Sequence, residues 1–159
     1  MLHLVTKLQK ELKQTRPFTS LEEEVILNLA RTAEHVSAQL TAVLKRADLT
    51  LTQYNVLRIL RGAGDEGLPC GDISERMVTR DSDVTRLLDR LDKMGLITRE
   101  RPETNRRLVV TRITDDGLGL LAELDGPVQE TNRATAGHLG SERLNALNEM
   151  LEELRSSGA

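Results

Sequence analysis

Polar side chains suited to binding another molecule recur at helical spacing in the middle of the chain. Between residues 82 and 94 they fall at intervals of three and four, which places them on one face of a helix. These are Ser82, Thr85, Arg86, Asp89, Arg90 and Lys93. An arginine can donate two parallel hydrogen bonds to guanine O6 and N7, and serine or threonine can bond bases or phosphates. This face therefore suits the major groove of duplex DNA, although a solvated polar helix face has the same composition.

A second basic group, Arg106 and Arg107, lies where residues 102–106 separate two runs rich in β-forming residues, 96–101 and 107–113. This pattern predicts a β-hairpin whose tip carries Arg106 and Arg107. Arginine is attracted to narrow minor grooves, so the tip supplies a second DNA-binding element.

We add to the predicted contacts the turn residues Thr79 and Arg80, and Asp83, which acts either as a specificity filter or as a helix cap. The predicted DNA contacts are Thr79, Arg80, Ser82, Asp83, Thr85, Arg86, Arg90, Arg106 and Arg107.

The sequence gives little support for a redox, metal or catalytic site. The chain has one cysteine, Cys70, followed closely by Asp72, whose charge would raise rather than lower the pKa of a nearby thiol. We therefore favour a structural Cys70 over a redox switch. The histidines, at positions 3, 35 and 138, lack the spacing of metal ligands. No phosphate-binding loop or nucleophile elbow occurs. We expect no enzymatic activity, no metal and no cofactor.

Charge and composition agree with a site in the middle of the chain. The 159 residues carry a net charge of −3, but residues 71–112 are net +2 and residues 115–158 are net −6. Local charge decides where a polyanion docks. The only aromatic residues are Phe18 and Tyr54, which argues against a single-strand binder built on stacked rings. No stretch is long and apolar enough to span a membrane, and no secretory signal is recognisable, so we expect a cytoplasmic protein.

Several elements must position these residues. Ser20–Glu23 and Thr50–Gln53 both match the capping box that begins a helix. Val84, Leu88 and Leu91 form an apolar stripe opposite the polar face of the predicted helix 82–94. Apolar residues also repeat every 3.5 residues over 26–47, which favours contact with a second chain over an ordinary core helix. The predicted fold is mainly α with a small β-hairpin wing (α+β), with long helices at both ends.

Several linked motifs resemble the MarR family of winged helix-turn-helix regulators. They are LTLTQYNVL (49–57), ISERM (73–77), VTRLLDRLDKMGLI (84–97), NRR (105–107) and ITDDG (113–117). The resemblance covers residues 49–120 without an obvious gap. Two features depart from the family pattern. Asn105 stands where the family usually has an aspartate that orients the wing arginine, and Asp81 and Asp83 open a helix that usually begins with small polar residues or proline.

The resemblance implies a homodimer whose two winged modules read a pseudo-palindromic DNA operator. It assigns residues 1–48 and 125–159 to dimerisation helices and residues 49–124 to the winged helix-turn-helix module. Members of this family are mostly repressors, and many are released by small phenolic or lipophilic effectors. The alternative is a helical dimer that binds other proteins and not DNA.

Overall fold

The computed structural model describes residues 6–79, 83–101 and 108–156. The chain divides into two compact units, one ending at Gln39 and the other beginning at Leu40. The first unit contains helix α1 (Lys7–Glu11) and most of helix α2 (Leu21–Leu44). The second contains the rest of α2 and every other element of the described part of the chain.

Both predicted capping boxes mark the start of a helix. Thr50 Oγ1 accepts from the Gln53 N–H at 3.2 Å, and the Gln53 side chain accepts from the Thr50 N–H at 2.8 Å. At α2, Ser20 Oγ accepts from the Glu23 N–H at 3.2 Å, and the Glu23 carboxylate accepts from the Thr19 hydroxyl and N–H, both at 2.6 Å. The hydrogen bonds from Thr19 to this carboxylate lower the pKa of Glu23.

Within its described residues, the second unit contains the end of α2, five further helices, three 3₁₀ turns and a small sheet. The helices are α3 (Leu51–Ala63), α4 (Cys70–Arg76), α5 (Val84–Lys93), α6 (Asp115–Ala136) and α7 (Gly140–Ser156). The 3₁₀ turns are Lys45–Ala47, Gly64–Glu66 and Gly137–Leu139. α6 continues through Pro127 without a break.

The sheet is antiparallel and has the strand order β1-β3-β2. The predicted hairpin forms strands β2 (Ile97–Glu100) and β3 (Val110–Ile113), with Ile97 opposite Ile113. A two-residue strand β1 (Leu68–Pro69) pairs with β3 on its other edge, and the sequence did not indicate it. The fold is therefore mainly helical with a small sheet, as predicted, but the wing is built on three strands.

The core of the second unit lies where α3, α4, α5 and the sheet meet the first part of α6. Fully buried side chains from these elements include Leu57, Leu60, Ile73, Leu88, Leu91, Ile97 and Leu121. Burying each of these stabilises the fold by about 1.5–3 kcal/mol relative to leaving it in water. This core fixes the position of α5 and of the hairpin strands. None of the described helices is long and apolar enough to cross a membrane.

Candidate nucleic-acid interface

Helix α5 presents the predicted polar face to solvent. Val84, Leu88 and Leu91 are buried beneath the helix, whereas Thr85, Arg86 and Arg90 are exposed on its outer side. A helix with one buried stripe and an exposed polar face can enter the major groove, whose width admits an α-helix. The outer face of α5 therefore brings together three of the predicted contacts.

Asp83 caps this helix. Its Oδ1 atom accepts a hydrogen bond from the Arg86 N–H at 3.2 Å, and its Oδ2 atom lies 4.0 Å from Arg86 Nε. Aspartate is among the preferred N-cap residues because its carboxylate satisfies a free N–H of the first turn. Both side chains remain largely exposed, so the ion pair is weak. The Arg86 guanidinium keeps most of its donors available.

A shallow depression of about 270 Å³ separates α5 from the start of α3. It is lined by Thr52, Asp83, Arg86, Leu87 and Arg90. Thr52 lies in the first turn of α3, where the helix dipole is positive, and its hydroxyl is 3.0 Å from that of Thr50. The depression therefore offers hydroxyl and guanidinium donors to an anion such as a backbone phosphate, beside the Asp83 carboxylate, which repels one. Sequence reasoning missed Thr52, although the capping box at Thr50 located this helix start.

The turn before α5 is fixed by α3. Asn55 Oδ1 accepts a hydrogen bond from the Val78 N–H at 2.9 Å, so the chain leaves α4 at a defined place. Thr79 follows and is exposed, in agreement with its proposed access to DNA. Arg80 and Ser82, two further predicted contacts, lie outside the described residues.

The wing is attached to neighbouring elements through its basic residues. Arg99 of β2 forms an ion pair with Asp89 of α5. Arg112 of β3 donates to the Asp65 carbonyl at 2.7 Å and to Glu100 at 3.1 Å. These two arginines therefore stabilise the structure of the module. Both had been counted in the net positive charge of residues 71–112 that supported the predicted DNA site. The predicted tip contacts Arg106 and Arg107, and Asn105 beside them, lie outside the described residues.

A bidentate ion pair joins α3 to α6. Arg61 donates to the two carboxylate oxygens of Asp125 at 2.8 and 3.0 Å. Hydrogen bonds of this kind stabilise the charged guanidinium, and they raise the pKa of Arg61 above its ordinary value. The helix that begins at the depression is thus fixed to the long helix behind it.

The lone cysteine lies on α4, apart from the polar face of α5. Cys70 is a free, half-buried thiol at the first position of α4. Within the described ranges, histidine, cysteine and acidic side chains form no group of three or more that could hold a metal ion. The geometry that remains is that of α3, α4 and α5 followed by a β-hairpin, with a polar face on α5. This arrangement defines a winged helix-turn-helix protein.

Comparisons with known proteins place the chain within this class. A sequence model described as the MarR family matches residues 49–109. A MarR transcription factor from Planctomyces limnophilus is 38% identical, covers 86% of this chain and 98% of its own, and superposes with a TM-score of 0.66. The transcriptional regulator FarR of Neisseria gonorrhoeae is 28% identical over 87% of this chain and 93% of its own. The chain belongs to the MarR family of transcriptional regulators.

A further solved relative bears a ligand. The structure of NadR in complex with 4-hydroxyphenylacetate is 28% identical to this chain, covers 87% of it and 97% of NadR, and has a TM-score of 0.69. This small molecule is a phenol that carries a carboxylate. The family resemblance inferred from residues 49–120 is therefore confirmed by both sequence and structure.

Proposed function

We propose that this chain is a repressor that binds a pseudo-palindromic DNA operator as a homodimer and is released by a small phenolic or lipophilic effector. It acts in the cytoplasm and has no catalytic activity of its own. The observation that carries the proposal is the outer face of α5, where Thr85, Arg86 and Arg90 stand exposed over a buried stripe. The FarR and Planctomyces relatives, both named as regulators of transcription, support it.

In this proposal α5 is the recognition helix and lies in the major groove. Arg86, one turn into the helix, pairs with guanine, and Ser82 and Thr85 bond bases or phosphates. Thr79, Arg80 and Arg90 bind the flanking backbone, with Thr52 as an additional phosphate contact. Arg106 and Arg107 enter the adjacent minor groove. Residues 49–124 form the DNA-binding module.

The proposed dimer uses the segments 1–48 and 125–159. In a single protomer no described residue of α7 is buried, and Met150 is 60% exposed. α2 likewise exposes Leu21 at 72% and Ile26 at 53%. Apolar faces of this kind mark contact surfaces. Because operator half-sites lie about one helical turn of DNA apart, two coupled modules are needed to read both.

The proposed effector binds the dimer and changes the separation of the two recognition helices. A ligand that favours one separation lowers the affinity for an operator that needs another. The 4-hydroxyphenylacetate bound by NadR supports a phenolic ligand class. A panel of phenolic and lipophilic compounds should contain one that weakens operator binding.

The decisive experiment selects bound sequences from random duplex DNA. The proposal expects an inverted repeat whose half-sites are separated by about one turn. The Arg86→Ala variant should then lose roughly 1–3 kcal/mol of preference for this operator over a scrambled duplex. Arg58→Ala, at an exposed arginine of α3 outside the predicted contacts and outside the proposed dimer segments, is the matched control.

Two results would contradict the proposal. The first is failure to recover any preferred sequence, together with binding that does not weaken as salt increases, which would favour the protein-binding alternative. The second is an unchanged ratio of specific to scrambled affinity in Arg86→Ala, which would remove α5 from base recognition.

A further inference from the structure

The cap of the recognition helix carries a negative charge that capping does not require. Serine, threonine and asparagine satisfy the free N–H groups of a helix start about as well as aspartate does. Asp83 nevertheless places a carboxylate that is 60% exposed at the edge of the proposed DNA-binding face. Phosphates repel such a group, although the positive end of the helix and Arg86 offset part of its charge.

The second oxygen of Asp83 has capacity for a further hydrogen bond. Oδ1 accepts from the Arg86 N–H at 3.2 Å, whereas among the described residues Oδ2 makes only a 4.0 Å contact, with Arg86 Nε. A carboxylate oxygen accepts hydrogen bonds and donates none. In the major groove its possible partners are therefore the amino groups of cytosine N4 and adenine N6.

The neighbouring arginine decides between these two bases. Arg86 donates to guanine O6 and N7, and guanine is paired with cytosine, whose N4 amino group lies beside O6 on the same groove edge. Asp83 Oδ2 lies 4.0 Å from Arg86 Nε, so an acceptor and a donor stand side by side at the start of α5. We propose that Asp83 is a specificity-determining residue that accepts a hydrogen bond from the cytosine amino group beside the guanine read by Arg86.

This role of Asp83 rests on the proposed function, and it assigns cytosine as the base that the Asp83 side chain reads. Asp83→Asn tests it cleanly, because the amide oxygen preserves the cap while the negative charge is removed. Asp83→Ser is a second capping variant without a charge. Wild type and both variants are measured on the selected operator and on every single base-pair substitution of it, and their thermal unfolding is compared.

We expect Asp83 to add about five- to tenfold to the G·C preference at the base pair that Arg86 reads in each half-site. Both variants should lose this increment and retain the part of the preference that Arg86 supplies. They should keep the preferences at other positions and unfold at nearly the wild-type temperature.

Three outcomes would overturn it. If wild type selects an operator and the variants keep every base preference, Asp83 is only a cap and the proposed function stands. A uniform gain in affinity on all duplexes, with preferences unchanged, would identify phosphate repulsion alone. Loss of an adenine preference would reassign the base. If wild type selects no operator, the proposed function fails first.

Discussion

Asp89 of helix α5 and Arg99 of strand β2 form an ion pair with an N···O distance of 2.5 Å. Arg99 is only 27% exposed, and Asp89 is 52% exposed. The pair joins the element proposed to enter the major groove to the strand that leads to the wing. It also neutralises an acid on the outer side of α5 that would otherwise repel phosphate.

We expect this pair to matter more for DNA binding than for stability. A double-mutant cycle with Asp89→Ala and Arg99→Ala should give a coupling of about 0.2–1 kcal/mol in urea unfolding, since both groups are partly solvated. Either single variant should weaken operator binding, because the wing is no longer tied to the helix. Strictly additive effects on both unfolding and DNA binding would show that the pair couples nothing.

The local elements of this module could be predicted from the sequence because their signals are local. The capping box at Thr50 and the stripe of Val84, Leu88 and Leu91 follow from spacing alone. The pairing of Asp89 with Arg99 could not, because both residues look like ordinary solvent-facing charges until the hairpin folds against α5. The sequence therefore predicted the polar face of α5, but not the side-chain contacts, such as Asp89 with Arg99, that hold it in place.

Other elements escaped prediction for reasons of length and packing. Strand β1 has two residues, one of them Pro69, which gives no alternating pattern. It pairs with β3 where Gly67, at φ +65°, brings its backbone against Thr111. α6 passes through Pro127, a residue that usually ends or kinks a helix. At β1 and at Pro127, tertiary packing overrides the local sequence preference.

Two glycines of α6 should respond in opposite ways to the same substitution. A Cβ on Gly117 would overlap the Leu96 carbonyl oxygen and lie 2.7 Å from Ile113 Cγ1, so Gly117→Ala should destabilise the protein by about 1–3 kcal/mol. A Cβ on Gly119 meets no described atom within 4 Å, and alanine there should stabilise the helix by about 0.5–1 kcal/mol. Urea unfolding at fixed protomer concentration compares the two. Equal effects would refute the close approach of α6 to the sheet.

Thr111 offers a test of the sheet's interior. Its side chain is 1% exposed, and its hydroxyl has no hydrogen-bond partner among the described residues. Thr111→Val replaces this hydroxyl with a methyl group of similar size and should stabilise the protein by about 1 kcal/mol. Thr98→Val, on the exposed side of β2, is the control and should change little. Destabilisation by Thr111→Val would mean that the hydroxyl is hydrogen-bonded.

The proposed dimer can be tested on α7 without removing the helix. Met150 is 60% exposed in the single protomer, and if the partner covers it, Met150→Glu buries an uncompensated charge in the dimer. We expect this variant to dissociate at protein concentrations where wild type is dimeric, and to lose operator affinity because a single module reads only one half-site. Asn148→Glu adds the same charge two residues away, on a different side of the helix, and controls for the charge itself. Sedimentation velocity gives the oligomeric state, and circular dichroism checks that the monomer remains folded. A Met150→Glu protein that stays dimeric with wild-type operator affinity would exclude this face of α7 from the interface.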